Sequence, residues 1–213
     1  MSQLRRLDKL ALLLLVLLLA LSAGLYLSPQ SSPGNTPTSS DPDAPTDNGF
    51  GGNFTLQSSN GDVSLSDFRQ QVVVLQFGYS SCPDVCPTGL ANMAAALDQL
   101  SPEQLARVQP LFISVDPERD TPQRLGEYAP YFHPKIIGLT GSLEQLGRVA
   151  MSYGAFFRKV ELNDSALAYA VDHSARLYLL DGEGKLRALL QHNLPPTVLA
   201  MAIQDLLQEI KAD

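Results

Sequence analysis

The chain has 213 residues and a formal net charge of -7 at pH 7, which suits one folded domain with additional segments. This acidic balance argues against nucleic acid as a partner, because non-specific nucleic-acid binding depends on neutralising phosphates with lysine and arginine. The chain has only two cysteines, Cys82 and Cys86, which are too few for a disulfide scaffold. A bridge between such close neighbours would stabilise the fold little, so their proximity indicates chemistry more than a structural crosslink.

The N-terminal residues 1–27 predict a cytoplasmic flank followed by a transmembrane signal anchor. Residues 10–27 are almost wholly apolar and, at about 1.5 Å per helical residue, would span roughly 27 Å, close to the hydrocarbon core of a bilayer. The basic flank RRLDK at positions 5–9 should stay in the cytoplasm, so the rest of the chain should be exported. A cleavable signal peptide is the alternative, since the small residues at positions 20 and 22 could form a cleavage site.

The next segment, residues 28–49, is rich in Pro, Ser, Thr, Asp and Gly. Such a composition cannot bury enough apolar surface to offset the entropy of an ordered chain, so we expect a disordered linker. The linker would give reach from the membrane to a folded domain that we expect over residues 50–213.

The folded region alternates strand and helix patterns. Residues 72–77 (VVVLQF) are apolar and β-branched, which predicts a buried central strand. DGEG at 181–184 is a strong hairpin signal near the end of the chain. The order predicts an α/β fold, a thioredoxin-like sandwich with a central mixed sheet and flanking helices, in addition to the N-terminal transmembrane helix. The patterns predict strands over 53–57, 62–65, 72–77, 111–115, 136–139, 155–160, 176–180 and 186–190, and helices over 87–100, 122–131, 142–153 and 195–211.

The two cysteines are framed by prolines. Pro83 and Pro87 disfavour helical backbone at the residue before each of them, so we expect both cysteines in a loop and a helix that begins at Pro87. The positive end of that helix would stabilise a thiolate at Cys86. Two such thiolates could bind a soft metal, Cu(I) or zinc, or close into a disulfide. Two buried small side chains that happen to be neighbours are the alternative.

The chain has three histidines that could complete a metal site, His133, His173 and His192. A site with two cysteines and two histidines would suit zinc, but these histidines lack the short spacing usual for zinc. Two thiolates and one imidazole suit copper better, because imidazole also serves Cu(II). His173 leads modestly, since it lies just before an apolar strand, whereas the other two histidines are more typical of surface or capping positions.

Three motifs contain or accompany these candidate residues. They are FGYSSCPDVCP at 77–87, VDPERDTP at 115–122 and VDHS at 171–174. These motifs, in this order, resemble those of the SCO/SenC family of copper-binding cytochrome c oxidase assembly proteins, which have a thioredoxin-like fold. The resemblance implies that Cys82, Cys86 and His173 bind copper as Cu(I) and Cu(II). It also implies a copper chaperone that assists assembly of the dinuclear copper centre of cytochrome c oxidase subunit II.

The resemblance also bears on partners and location. Subunit II is the expected partner, with other periplasmic copper carriers or thiol reductants as further candidates and the membrane contacted through the N-terminal helix. The short N-terminus leaves little room for a transit peptide. We therefore expect inner-membrane anchoring with the soluble domain in the bacterial periplasm.

A thiol–disulfide oxidoreductase that reduces the cysteines of that copper site is the main alternative function. The ordinary thioredoxin site has a two-residue spacer and a preceding tryptophan, whereas this chain has a three-residue spacer and no tryptophan. These features favour a metallochaperone over an enzyme. Redox sensing or peroxide chemistry is a third alternative, which would need one exposed cysteine of low pKa and a resolving partner.

Four charged residues accompany the motifs. Asp116, Arg119 and Asp120 lie in a D-P-x-R-D segment, which we expect to be structural or partner-facing rather than metal-binding. Asp172 precedes His173, and we expect its carboxylate to orient the imidazole, since a ligating imidazole usually donates its other N–H.

Overall fold

The computed structural model describes residues 50–162 and 167–212. The predicted anchor at 1–27 and the predicted linker at 28–49 therefore lie outside the described residues. Within the described ranges, no helix combines the length and the apolar character needed to cross a bilayer.

The described region contains nine strands, five α-helices and one short 3-10 helix, Leu65–Phe68. The helices are α1 (Val85–Leu97), α2 (Pro102–Ala106), α3 (Pro122–Phe132), α4 (Leu143–Ser152) and α5 (Pro196–Ala212). The strands are β1 (Thr55–Ser58), β2 (Gly61–Ser64), β3 (Val72–Gly78), β4 (Val108–Ser114), β5 (Ile137–Leu139), β6 (Phe157–Glu161), β7 (Tyr169–His173), β8 (Arg176–Leu180) and β9 (Leu186–Gln191).

A five-stranded mixed sheet forms the centre of the fold, with the strand order β5-β4-β3-β8-β9. Strands β3, β4 and β5 are parallel neighbours, while β8 and β9 add an antiparallel hairpin beside β3. Every residue of β3 and of β4 is buried, as expected for strands covered on both faces. The predicted α/β class, the mixed sheet and the late hairpin are confirmed.

A second, separate hairpin is formed by β6 and β7, which pair only with each other. Its antiparallel register places Phe157 opposite His173 and Glu161 opposite Tyr169. Strand β7 was not among the predicted strands. Its five residues, YAVDH, become a strand through pairing with β6, which a local pattern of this length does not reveal.

The helix after the cysteine motif begins at Val85, not at Pro87 as the sequence predicted. The N–H groups of the first helical turn have no intrahelical partner, so a proline at the third position loses nothing. The first helical hydrogen bond runs from Thr88 N–H to the Asp84 carbonyl at 3.1 Å. The expectation that both cysteines lie in a loop is therefore wrong for Cys86, which sits in the first turn of α1, and right for Cys82.

Candidate metal centre

The structure brings Cys82, Cys86 and His173 together at the carboxyl end of the central sheet. One ligand atom from each lies within 4.8 Å of the others, and Cys86 Sγ is 3.2 Å from His173 Nε2. Three atoms that each lie about 2.0–2.3 Å from one ion are separated by about 4 Å, so this spacing fits a single metal ion. In the part of the chain that the structure describes, no other group of three such side chains is found.

Burial differs across the three side chains. Cys86 is fully enclosed, with 0% of its surface exposed, whereas Cys82 is 8% exposed and His173 is half-buried. The site therefore has a closed floor at Cys86 and a rim at Cys82 and His173, where the imidazole is the more exposed side chain. A ligand from a partner protein would approach at this rim.

Strand β3 holds the floor of the site through two residues on one face. Gly78 gives Cys86 its space, because a Cβ at position 78 would lie 2.6 Å from Cys86 Sγ. Gln76 Nε2 donates a hydrogen bond to the Cys86 carbonyl at 3.3 Å. Gly89 makes room for the Gln76 amide, since a Cβ there would lie 2.7 Å from Nε2. The position of Cys86 is thus fixed by close packing against the fully buried strand β3.

The two cysteines are not joined in a disulfide, and their hydrogen bond shifts their pKa values in opposite directions. A hydrogen bond from the Cys86 side chain lowers the pKa of Cys82, and backbone donors at Asp84 and Cys86 lower it further, against the effect of burial. The same hydrogen bond to Cys82, together with burial, raises the pKa of Cys86. The arrangement therefore favours a thiolate on Cys82, which is nearer to solvent, and a retained proton on Cys86.

His173 is oriented by the backbone of its own strand. Its Nδ1 lies 2.9 Å from the Val171 carbonyl, and a carbonyl can only accept, so Nδ1 carries the proton and Nε2 presents its lone pair toward Cys86. The Tyr79 ring packs edge-on against the imidazole, with 5.5 Å between ring centroids. The imidazole is thus held in the tautomer that a metal ligand at Nε2 needs.

The expectation that Asp172 orients His173 is wrong. Consecutive residues of a strand point to opposite faces, so the Asp172 carboxylate turns away from the imidazole. It accepts a hydrogen bond of 2.8 Å from Arg158 on the neighbouring strand, and both side chains are exposed. The Val171 carbonyl takes the role that the sequence assigned to the carboxylate.

Asp120 is fully buried and supports the start of the cysteine loop through hydrogen bonds to Ser80. It accepts hydrogen bonds from the Ser80 N–H at 2.7 Å, from the Ser80 hydroxyl, and from the Ser114 hydroxyl at 2.6 Å. Asp116 is buried as well and accepts hydrogen bonds from Tyr169 and Arg119. The structural role expected for this segment is confirmed, and its two aspartates are enclosed in the protein.

The two other histidines lie elsewhere and have partners of their own. His133 Nδ1 accepts a hydrogen bond from the Lys135 N–H at 3.1 Å, and His192 Nδ1 lies 3.2 Å from the Ala175 carbonyl. Sequence reasoning missed the contributions of Gly78 and Val171. A glycine inside an apolar strand signals a close approach of another group. No residue-type signal exists for a backbone carbonyl such as that of Val171.

A thioredoxin-like α/β fold in which two thiols that follow a central strand lie beside an imidazole defines a class of proteins that work through thiolates, either by binding soft metals or by exchanging disulfides. Residues 42–208 match the family model described as SCO1/SenC, so the chain belongs to the SCO1/SenC family. The resemblance carried by the three sequence motifs is confirmed.

Individual relatives agree with this assignment. The chain is 46% identical over 135 residues to "Protein SCO1 homolog 1, mitochondrial" of Arabidopsis thaliana. The aligned region is 63% of this chain and 40% of that protein. It is 39% identical to the crystal structure of Arabidopsis thaliana ScoI with copper bound, with a TM-score of 0.68 over 77% of this chain and 99% of that one. Bradyrhizobium japonicum ScoI with copper bound is 34% identical, with a TM-score of 0.67 over 74% of this chain and 99% of that one.

Proposed function

We propose that this protein is a copper chaperone that binds one copper ion, as Cu(I) or Cu(II), through Cys82, Cys86 and His173. The observation that carries the proposal is the convergence of these three ligand atoms within 4.8 Å. Family membership and the copper-bound relatives support copper as the metal. The donor set supports it independently, because thiolates favour Cu(I) and imidazole also serves Cu(II).

The site is suited to releasing copper as well as to binding it. Three protein ligands leave room for a fourth, and the half-exposed imidazole of His173 gives a partner access at the rim. A partner's thiolate or imidazole could enter there before the ligands of this chain leave, so the ion would pass over without becoming bare. We propose the dinuclear copper centre of cytochrome c oxidase subunit II as the destination, with other periplasmic copper carriers as further partners.

The proposed location follows from hydropathy. Residues 1–27 would anchor the chain in the inner membrane, residues 28–49 would form a linker, and residues 50–213 would form the copper-binding domain in the bacterial periplasm. A labelling experiment on the intact chain in cells tests this arrangement. A membrane-impermeant thiol reagent should reach Cys82 from the periplasmic side, whereas protection until the inner membrane is opened would overturn it.

Copper titration of the purified 213-residue chain tests the metal assignment. We expect about one copper per chain and, with Cu(II), an absorption band from thiolate-to-copper charge transfer. Replacing both cysteines by serine should abolish binding, and His173→Ala should weaken Cu(II) markedly. His192→Ala is the matched control, because this histidine lies outside the cluster, and it should bind like the wild type. Full copper binding by the double serine variant would refute the proposal.

Thiol–disulfide exchange is the second candidate function, and the unequal thiols favour it. Cys82 is the more exposed thiol and has the lowered pKa, so its thiolate would attack a disulfide of the partner and release one partner thiolate. Cys86 would then lose its proton and attack Cys82 in the mixed disulfide. The products are a Cys82–Cys86 disulfide in this chain and two thiols in the partner.

A copper-free assay separates the two functions. The reduced apo protein is mixed with an oxidised fragment of subunit II that carries the copper-binding cysteines, and the partner's free thiols are counted over time. Rapid reduction without copper would make thiol exchange the main role. Copper transfer to a fragment that is already reduced, with no thiol exchange, would support the chaperone.

A further inference from the structure

The cysteines and the histidine of the metal centre belong to different parts of the fold. Cys82 and Cys86 follow β3 of the central sheet, whereas His173 ends β7 of the separate β6–β7 hairpin. No strand of the described region joins this hairpin to the central sheet. A two-stranded hairpin is marginally stable by itself, so the position of the imidazole depends on side chains that attach the hairpin to the rest of the protein.

One set of contacts supplies such an attachment, and we call Tyr169, Asp116 and Arg119 the Tyr169 clasp. The Tyr169 hydroxyl donates to Asp116 Oδ1 at 2.8 Å, and Asp116 is only 3% exposed. Arg119 donates from Nε to the other oxygen of Asp116 and from Nη1 to the Tyr169 carbonyl at 3.1 Å. Its guanidinium carbon also lies 3.8 Å from the Tyr169 ring centroid. Both the side chain and the backbone of Tyr169 are therefore held.

A second cation also contacts this ring. Lys159 Nζ of β6 lies 4.0 Å from the Tyr169 ring centroid and also forms an ion pair of 2.8 Å with Glu118. Two cations are thus attracted by the negative π-face charge of one ring. Both strands of the hairpin are tied to the segment that follows β4.

The clasp acts along the strand that carries the ligand. Tyr169, Val171 and His173 alternate along β7 and share one face, so fixing the first sets the direction of the third. Val171 also supplies the carbonyl that orients the imidazole. The clasp residues Asp116 and Arg119 lie just after β4. Strand β4 is the parallel neighbour of β3, and β3 leads into the cysteine loop. The clasp therefore sets the hairpin relative to the part of the fold that carries the thiols.

We infer that Tyr169 is a positioning residue for the copper site, which seats His173 beside the two cysteines through its clasp with Asp116 and Arg119. The inference rests on the proposed copper binding. The inference predicts different effects on the two oxidation states, because thiolates alone favour Cu(I) whereas the imidazole is the ligand that also serves Cu(II). Loosening the clasp should weaken Cu(II) and leave Cu(I) in place.

Tyr169→Phe in the 213-residue chain is the test, since it removes the hydroxyl and keeps the ring that contacts the two cations. We expect the affinity for Cu(II) to fall about 10–100-fold, the usual effect of losing a group that supports a metal ligand, and the affinity for Cu(I) to stay unchanged. Tyr153→Phe is the matched control. It removes another buried hydroxyl, which donates to the Gly52 carbonyl at 2.7 Å, and should leave both affinities unchanged.

A double-mutant cycle separates positioning from general stability. If Tyr169 acts through the imidazole, adding Tyr169→Phe to His173→Ala should weaken Cu(II) no further. Hydrogen exchange of the apo protein adds a readout that needs no metal, and Tyr169→Phe should speed exchange in β6 and β7 while leaving β3 and β4 protected.

Each other outcome overturns the inference. Equal loss of Cu(I) and Cu(II), an additive effect in the His173→Ala background, or an unchanged Cu(II) affinity would each contradict it. If Tyr169→Phe fails to fold, Arg119→Lys gives the same test. This substitution keeps the positive charge but loses the guanidinium group that reaches both Asp116 and the Tyr169 carbonyl. Absence of copper binding by the wild type would instead refute the proposed function, so the two failures are distinguishable.

Discussion

Gly78, the last residue of β3, lies where the packing leaves no room for a side chain. A Cβ at this position would lie 2.6 Å from Cys86 Sγ and 2.7 Å from Phe112 Cε2. These distances are about 1 Å shorter than the optimal separation of non-bonded atoms. Cys86 and Phe112 are both fully buried, so neither can move out into solvent. Gly78→Ala should therefore push the Cys86 sulfur away from its place in the metal centre.

The size of the effect follows from these overlaps. Overpacking a buried site usually lowers the free energy of unfolding by about 1–3 kcal/mol, which in a domain of this size lowers Tm by roughly 2–12 °C. A sulfur displacement of about 1 Å also exceeds the tolerance of about 0.2 Å in metal–ligand distances. We therefore expect the copper affinity of Gly78→Ala to fall by at least about tenfold.

Urea unfolding of the apo protein and copper titration measure the two effects separately. Gly147→Ala is the matched control, because a Cβ at position 147, inside α4, would meet nothing within 4 Å. That substitution should raise stability by up to about 1 kcal/mol and leave copper binding unchanged, since alanine favours the helix. If Gly78→Ala matches Gly147→Ala in both measurements, the packing argument is wrong.

Three further predictions concern single groups. Asp120→Asn replaces a buried carboxylate that accepts from the backbone and the hydroxyl of Ser80, and should lower the free energy of unfolding by about 1–3 kcal/mol in urea titrations. Burial lowers the pKa of His133 in the folded state, so the unfolded state takes up a proton more readily. The free energy of unfolding should therefore fall as the pH drops below the ordinary pKa of histidine. His133→Gln should reduce that fall, as unfolding measured from pH 7 to 5 would show. Limiting iodoacetamide should alkylate Cys82 before Cys86 in the reduced apo protein, as peptide mapping would show, and equal labelling would contradict the assigned thiolate.

The parts of the fold that were predicted from sequence are those with a strong local pattern. Val72 to Phe77 could be recognised as a buried strand because nearly every side chain in it is apolar. The DGEG turn predicts the last hairpin from its own four residues. The two cysteines could be recognised as candidate metal ligands because the sequence has no other cysteine. Local chemistry was sufficient for these features, since each is decided within about ten residues.

The features that sequence missed depend on distant pairing. Strand β7 forms because β6 lies beside it, and only knowledge of that strand reveals that Asp172 and His173 point to opposite faces. The acceptor for the imidazole is a backbone carbonyl, which every residue possesses. Helix α1 starts at Val85, before Pro87, because proline loses no hydrogen bond in the first turn of a helix. Residue preferences alone do not show whether the helix begins at the proline or before it. In each case the deciding information is spatial.

The division of the site between two parts of the fold has a thermodynamic consequence under the proposed function. Cys82 and Cys86 follow β3 of the central sheet, and close packing against β3 places Cys86, whereas His173 is placed by the clasp on a separate hairpin. If Cu(II) requires the seated imidazole and Cu(I) does not, the oxidation state of copper and the seating of the hairpin are linked by one coupling free energy. By reciprocity, the factor by which a seated hairpin favours Cu(II) over Cu(I) equals the factor by which Cu(II) favours the seated hairpin. Reduction of the bound ion would then loosen the hairpin at the same rim where a partner's ligands must enter.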